Sequence, residues 1–528
     1  MENPVPAFDR IQCPALHSKI MSAQQAAELI PEGANVGMSG FTGSGAPKAV
    51  PLALAERIER LYAQGKNFKI DLWTGASTAP EIDGALAKVN GIHTRLPYQS
   101  DPIGRKRINE GSIQYIDMHL SHVAQYVWFG FFGKLDVAVI EVAGILPDGR
   151  LIPSTSVGNN KTWLDLADLV ILEVNEYQPL ALAGMHDIYY GTQVPPNRVP
   201  IPLLHPQDRI GEQYLRCDPN KVIAVVPTNK SDRSSAFKPA DAASQQIAGH
   251  LIEFFKHEVK LGRLPKNLLP LQSGVGNIAN AVLAGLNDGP FEQLTAYTEV
   301  LQDGMLHMLR SGKLVHASAT ALSLSPEGER EFVDHIDFYR DKIVLRPQEM
   351  SNHPELIRRL GVIAMNAMIE ADIYGNVNST HVYGSSIMNG IGGSGDFARN
   401  AYLSIFMANA TAKGGELSCI VPAVSHVDHT EHDVQILVTE CGLADLRGLS
   451  PKERAQAIIG HCAAPDYQPL LQDYFDRALR GSVGKHTPML LDEALSWHAR
   501  ASRTGSMKPA QAEQSPQSSQ SSQTAQPA

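Results

Sequence analysis

Residues 271–304 read LQSGVGNIANAVLAGL, then NDGPFEQL, then TAYTEVLQDG. The order is strand, glycine turn, helix, and a second strand ending on Glu299. A strand that feeds a glycine-rich turn and a helix N-terminus presents backbone N–H groups with no intrahelical partner, which suits an anion. Gly274 and Gly276 allow a ligand close to the backbone, and the small residues Ala279, Ala281, Ala284 and Gly285 let the helix lie against a sheet. Ligand sites in open α/β sheets collect at the carboxyl ends of strands. A carboxylate at such an end, Glu299, makes this stretch the first candidate site.

The same grammar occurs earlier in the chain. Ser22–Leu29 reads as a helix with Ser22 as N-cap, and 34–38 as a short apolar strand. The loop SGFTGSGAP (39–47) and a helix over Pro51–Leu61 follow. Two strand–glycine loop–helix units predict two related α/β halves. Further strands are expected at 68–73, 135–142, 169–174 and 221–226, apolar and β-branched runs that suit a parallel sheet buried on both faces. Asp148-Gly149 signals a hairpin, and Pro195–Pro206 a surface loop. The polar stretch PTNKSDRSSAFKPA (227–240) divides an N-terminal domain, residues 1–228, from a C-terminal one, 229–505, which opens on a helix over 242–261. In the second half, strands are expected at 315–322, 343–345 and 434–439, and helices at 327–334 and from 355 and 451. From Ser506 the Ser/Gln-rich tail, with one Met as its single large apolar residue, is expected to be disordered.

Composition narrows the function classes. At 528 residues the chain exceeds one ordinary core. A net charge of −10 argues against sequence-independent nucleic-acid binding, which needs a basic face. Five scattered cysteines without a CxxC predict a reduced, cytoplasmic compartment. The first residues, MENPVPAFDRIQC, carry no signal-peptide pattern, and no run of apolar residues is long enough to span a bilayer.

Three constellations carry chemistry. Glu299 is ionised at neutral pH and can attack a carbonyl without a general base; the plainer alternative is a strand-end glutamate paired with a lysine. Asp303 is a competing acid that reads better as a cap. The loop Gly392-Gly393-Ser394-Gly395 can converge amides on an oxyanion, or be a mobile surface loop; flanking Ile387, Met388 and Ile391 favour the former. His426, His429 and His432, interleaved with acids, could ligate a metal, but the spacing matches no common zinc pattern and a structural polar hairpin is the stronger reading. Neither GxSxG nor a Walker A loop occurs.

Five stretches in order, SGVGNIANAVLAGL (273–286), YTEVLQDG (297–304), SNHPELIRRLG (351–361), NGIGGSGDFARNAYLSIF (389–406) and VTECGLADLRG (438–448), closely resemble the acetyl-CoA hydrolase/transferase family of class I CoA-transferases. The resemblance spans about Ile20 to Leu479. It implies two open α/β domains with the active site between them, usually in a homodimer. It implies acyl-CoA and short-chain carboxylates such as acetate, propionate or succinate as substrates, with no metal and no permanently bound cofactor; coenzyme A is itself a substrate. Glu299 matches the glutamate that becomes a glutamyl-CoA thioester. Leu271, Gln272, Ser273, Gly274 and Val275 match a CoA-contacting segment, with Val275 near the reacting carbonyl. Asn389 and Gly393 match further CoA contacts, and the Gly393 amide an oxyanion donor. Ile369 and Lys413 match outlying CoA positions, Asn352 and Glu440 polar residues of the catalytic site, and Arg233 a cation for the substrate carboxylate. Cys441 departs from the glutamine expected after Glu440. Three readings follow: a CoA-transferase, an acyl-CoA hydrolase using the same glutamate, or a non-catalytic CoA-binding protein on the same fold.

Overall fold

The computed structural model describes residues 7–233 and 240–509. The N-terminal half is built on β1 (Asn35–Met38), β2 (Ile70–Trp73), β3 (Ile92–Leu96), β4 (Gln114–Tyr115), β5 (Val137–Ile145), β6 (Leu151–Pro153), β7 (Leu169–Asn175) and β8 (Val222–Thr228). Edge to edge the order is β4-β3-β2-β1-β5-β7-β8, all parallel, with β6 folded back antiparallel on β5 through the Asp148-Gly149 turn. All nine residues of β5 are buried, as a central parallel strand covered on both faces requires.

The C-terminal half repeats this plan. Its strands are β9 (Leu271–Ser273), β10 (Leu294–Tyr297), β11 (Leu314–Ala319), β12 (Ile343–Leu345), β13 (Ile363–Ala367), β14 (Leu403–Met407), β15 (Ile436–Thr439) and β16 (Gly442–Asp445). The order is β12-β11-β10-β9-β13-β14-β15-β16, parallel except for the last pair. In both sheets the first strand lies in the middle, the next three step to one side and the later ones to the other. The two halves are therefore topologically related, and each reverses direction between its first strand and that strand's later neighbour, β1/β5 and β9/β13. One apolar cluster runs through both, from Ile140 and Trp163 to Leu283 and Met407.

Local expectations hold where local chemistry dominates. Ser22 caps the helix Ala23–Glu28 in a full capping box with Gln25. Asp241 caps the long helix Ala242–Lys260. Three expectations need correction. Strand β10 stops at Tyr297, so Glu299 lies in the break before the short strand Val300–Leu301. Asp303 is the first residue of helix Asp303–Arg310 and does not cap it; its carboxylate accepts the Ser325 N–H at 3.0 Å. The C-terminal stretch is ordered beyond Ser506: Met507 is buried, and its N–H donates to the Glu416 carbonyl at 2.8 Å. Arg500 also donates to the Met507 carbonyl at 2.6 Å, and Lys508 Nζ lies 3.2 Å from Asp466 Oδ2. Residues 510–528 lie outside the described residues, as does 234–239 within the divide between the halves.

Candidate active site

Glu299 emerges from the carboxyl end of β10, the second strand of the C-terminal sheet, next to the reversal at β9/β13. The chain there is tied to the glycine turn. Gln302 Nε2 donates to the Gly274 carbonyl at 2.8 Å, and Thr298 Oγ1 to the Ser273 carbonyl at 3.4 Å. Gly276 has φ +121°, a value that excludes a side chain, and it starts helix Asn277–Asp288. Beside the turn lies a cavity of about 330 Å³ lined by Gly274, Val275, Asn277, Met365, Met407 and Asn409. Val275 is 57% exposed, whereas Leu271, Gln272 and Ser273 are buried in the sheet. Gln272 is satisfied internally: its Nε2 donates to Asn366 Oδ1, and its Oε1 accepts the Met365 N–H.

The half-buried Glu299 carboxylate has a small, specific surrounding. Asn352 Nδ2 donates to its Oε1 at 2.5 Å. Gly393 is packed so closely that a Cβ built there would overlap the Glu299 carboxylate. The φ of Gly393 is −91°, so the glycine is demanded by space and not by backbone conformation. Burial pushes the Glu299 carboxyl up to about 7; the Asn352 hydrogen bond opposes the rise and the nearby Asp396 adds to it. Glu299 is thus a carboxylate held at the point where a modest change of environment decides its charge.

The N-terminal half closes the other side. Tyr98 packs against Gly390 and Gly392 of the NGIGG loop; burial raises its pKa, the Asn389 side chain opposes this and the Glu299 charge adds to it. Asp117 accepts the Ile391 N–H at 2.9 and 3.1 Å, which holds the NGIGG loop against this half. Gln348 Nε2 donates to the Leu120 carbonyl at 2.8 Å, and Ser121 binds Asp396 through both its N–H and its hydroxyl. The cleft around Glu299 therefore lies between the halves, with Tyr98, Ser121 and Asp396 among its parts. No motif had singled these out. The one local signal was the acid in GGSGD, placed in the first turn of helix Ser394–Asn400.

The remaining residues matched by the resemblance have partners of their own. Glu440 follows β15, four strands from β10 or about 19 Å at ordinary strand spacing, and its carboxylate accepts the Ala410 N–H at 2.7 Å. Lys413 is exposed on a hairpin with Nζ 2.6 Å from the Tyr383 hydroxyl. Ile369 is half-buried just past β13, its N–H on the Asn378 carbonyl. Arg233 is exposed, with Nε 2.9 Å from Glu81 Oε1, so its charge is already paired.

The histidines diverge. His429 is buried against Phe406 with Nε2 at 3.2 Å from Ser394 Oγ, His426 stacks on His381, and His432 is exposed. Among the described residues no group of three or more His, Cys, Asp or Glu side chains is arranged to hold a metal ion. Prolonged EDTA treatment is expected to leave activity unchanged. Stoichiometric zinc in the purified protein, with activity lost on its removal, would contradict this.

Comparison with known proteins agrees with the geometry. The acetyl-CoA hydrolase/transferase N-terminal domain profile matches residues 9–227, and the C-terminal domain profile residues 328–475. A succinyl-CoA:acetate CoA-transferase of Clostridium kluyveri is 53% identical over 499 residues, 94% of this chain and 92% of that protein. A propanoyl-CoA:succinate CoA transferase of Escherichia coli is 47% identical, covering 92% of this chain and 98% of its own. An acetyl-CoA hydrolase of Schizosaccharomyces pombe is 46% identical, covering 93% and 98%. Among solved structures, a 4-hydroxybutyrate CoA-transferase of Porphyromonas gingivalis shares the fold, with a TM-score of 0.60 at 21% identity over 87% of this chain and 98% of its own. Among the described residues no helix is long and apolar enough to cross a membrane. With the N-terminal profile over the first sheet, the C-terminal profile from residue 328 over β12–β16, and relatives near half identity along almost its whole length, this chain belongs to the acetyl-CoA hydrolase/transferase family.

Proposed function

We propose that this protein is an acyl-CoA:carboxylate CoA-transferase that works by a ping-pong mechanism through a thioester on Glu299. The single observation that carries this reading is the Glu299 carboxylate itself, half-buried just past the end of β10, held by Asn352 and pressed by Gly393. Such a group is a nucleophile in its ionised form and needs no general base.

The steps balance without a net proton. A Glu299 oxygen attacks the thioester carbon of acyl-CoA; the C–S bond breaks, CoA leaves as thiolate, and an acyl-glutamyl anhydride remains. The thiolate attacks the glutamyl carbonyl carbon, forming the enzyme thioester and releasing the first carboxylate. An incoming carboxylate attacks that thioester, expels CoA thiolate and gives a second anhydride. The thiolate then attacks the new acyl carbon and regenerates Glu299. Each attack passes through an oxyanion, to which the amides of Val275 and Gly393 are assigned. The cavity beside Gly274 and Val275 is assigned to the pantetheine end of CoA, Asn389, Ile369 and Lys413 to further CoA contacts, Asn352 and Glu440 to polar support, and Arg233 to the substrate carboxylate. For Arg233 this requires release from Glu81, and for Glu440 an indirect role. The reading includes a cytoplasmic homodimer.

The 53% identity to a named succinyl-CoA:acetate CoA-transferase supports transfer, while relatives named acetyl-CoA hydrolase make hydrolysis the alternative. An acceptor panel separates them. Acetyl-CoA or succinyl-CoA is offered with acetate, propionate, succinate or no acid, and new acyl-CoA and free thiol are both followed. Transfer predicts new acyl-CoA that depends on the acceptor, with no steady thiol release in its absence. Thiol that accumulates equally fast without an acceptor identifies a hydrolase.

A further inference from the structure

Asn352 must present one face of its amide to Glu299, and an amide can rotate. Its Oδ1 accepts the Ser351 hydroxyl at 2.8 Å, and its Nδ2 faces both Glu299 Oε1 at 2.5 Å and Asp396 Oδ2 at 3.4 Å. A flipped amide would set its carbonyl oxygen against two carboxylates and leave the Ser351 hydroxyl facing a donor. Asp396 therefore helps to hold the sense of this amide. Its own place is set from the other half of the molecule. Ser121 Oγ donates to Asp396 Oδ1 at 2.5 Å, and Ser121 N–H to Oδ2 at 2.9 Å. Asp396 and Ser121 are 4% and 1% exposed, so these bonds are desolvated, and they are charge-assisted when the carboxyl is ionised.

Ser121 lies in the first turn of helix Leu120–Trp128. The preceding residue, Leu120, accepts Gln348 Nε2 through its carbonyl, and Gln348 begins the short helix Gln348–Ser351 that leads into Asn352. Asp396 also sits three residues after Gly393, in the first turn of the helix that starts there. One turn of the N-terminal half thus grips both segments that meet Glu299.

We propose that Asp396 is a positioning residue for this reaction: pinned by Ser121, it holds the Asn352 amide and the Gly393 turn in the arrangement that aims the Glu299 carboxylate. The proposal rests on Glu299 being the nucleophile. It makes apposition of the two halves a condition of reactivity, because the pin and the amide it holds come from different sheets.

The surrounding charges give this role a signature. His119 packs against Gly395 and His429 binds Ser394 Oγ; burial pushes both down to about 4, and it lowers His122 on the same helix. Arg399, three residues on from Asp396 in the same helix, is 60% exposed with Asp433 at 3.7 Å, and its charge adds to the lowering of all three histidines; Tyr98 has its pKa raised by burial. The groups that titrate near neutrality are Glu299, Asp396 and Asp117, each pushed up to about 7 by burial. Asp117 acts on the Ile391 amide, whereas the charge of Asp396 acts on Glu299 directly.

The test compares full-length wild type, Asp396→Asn and Ser121→Ala. It measures single-turnover formation of the CoA adduct at residue 299 from acetyl-CoA, the pH profile of kcat/KM, and thermal melting. Loss of a hydrogen bond to a charged group predicts adduct formation slower by about 10- to 100-fold in Asp396→Asn, and about tenfold in Ser121→Ala. The acid limb of the kcat/KM profile should move to lower pH in Asp396→Asn, since the neighbouring negative charge is gone. A packing role alone would lower the melting temperature and leave that limb in place. Wild-type adduct rates and an unmoved limb in folded Asp396→Asn overturn the proposal. If that variant fails to fold, a wild-type adduct rate in Ser121→Ala overturns it instead. Wild-type enzyme that transfers CoA with no adduct at residue 299 removes the nucleophile assignment, and this proposal falls with it.

Discussion

Replacing Glu299 by Ala is expected to abolish transfer, with turnover falling by about 10⁴-fold or more, as when a covalent nucleophile is removed from a preorganised site. Acyl-CoA binding should survive, because the cavity beside Gly274 and Val275 does not include this side chain. Wild type incubated with acetyl-CoA and no acceptor should carry CoA on the peptide that contains residue 299, and the variant should carry none. Peptide mass mapping reads this directly. Near-normal transfer by Glu299→Ala would remove the residue from the mechanism. The same carboxyl predicts a pH dependence. Only the ionised form attacks, so kcat/KM should rise with pH through about 7, close to tenfold per unit on the acid side. Because Asp396 is also pushed up to about 7, the limb belongs to the pair and not to one group.

Stability should follow the opposite sense. A carboxyl whose pKa is raised from 4.5 to about 7 on folding favours the folded state in its protonated form. That contribution is full below pH 4.5 and is lost as pH rises through about 7. Glu299→Gln, neutral at every pH, should therefore melt higher than wild type at pH 8 and close to it at pH 5.

The second large effect is expected at Gly393. Alanine there would drive its methyl group into the Glu299 carboxylate and toward Asn352 Nδ2. Since φ is −91°, the backbone itself tolerates alanine, so the clash must be relieved by moving the nucleophile or the turn. Turnover should fall by about 10²- to 10³-fold, the range seen when an oxyanion donor is displaced. Melting should change by the equivalent of about 1 kcal/mol, and CoA affinity far less than turnover. A folded Gly393→Ala enzyme with unchanged turnover would show that neither this amide nor the placement of Glu299 limits the reaction. Because alanine also displaces the nucleophile, adduct formation in the first half-reaction must be measured with overall turnover. Loss in both, in proportion, is the expected pattern.

What the sequence by itself determined about this protein is local. The alternation of apolar runs with glycine turns and amphipathic stretches specified strands and helices, because hydrogen bonding and side-chain periodicity act over a few residues. It was enough to read two related halves, the Ser22 cap and the strand–turn–helix at 271–286, and to place Glu299 just beyond a strand it was expected to end. The glycine loop around Gly393 was read as an oxyanion site from the residues alone, and resemblance added the family and the name of Asn352. The tertiary structure decided which of the named residues meet. Glu299, Asn352 and Gly393 come from separate segments that converge just past β10, at the end of helix Gln348–Ser351 and at the start of helix Ser394–Asn400. Glu440 belongs to an equally recognisable stretch, but the strand order sets it four strands away, and Lys413 and Arg233 are engaged by Tyr383 and Glu81. Ser121 and Asp396 had no motif to announce them as partners. Their bond exists because two sheets, each folded from its own local pattern, press a helix of one half onto a turn of the other. Such a contact is paid for by burial across the whole interface, and no single segment encodes it.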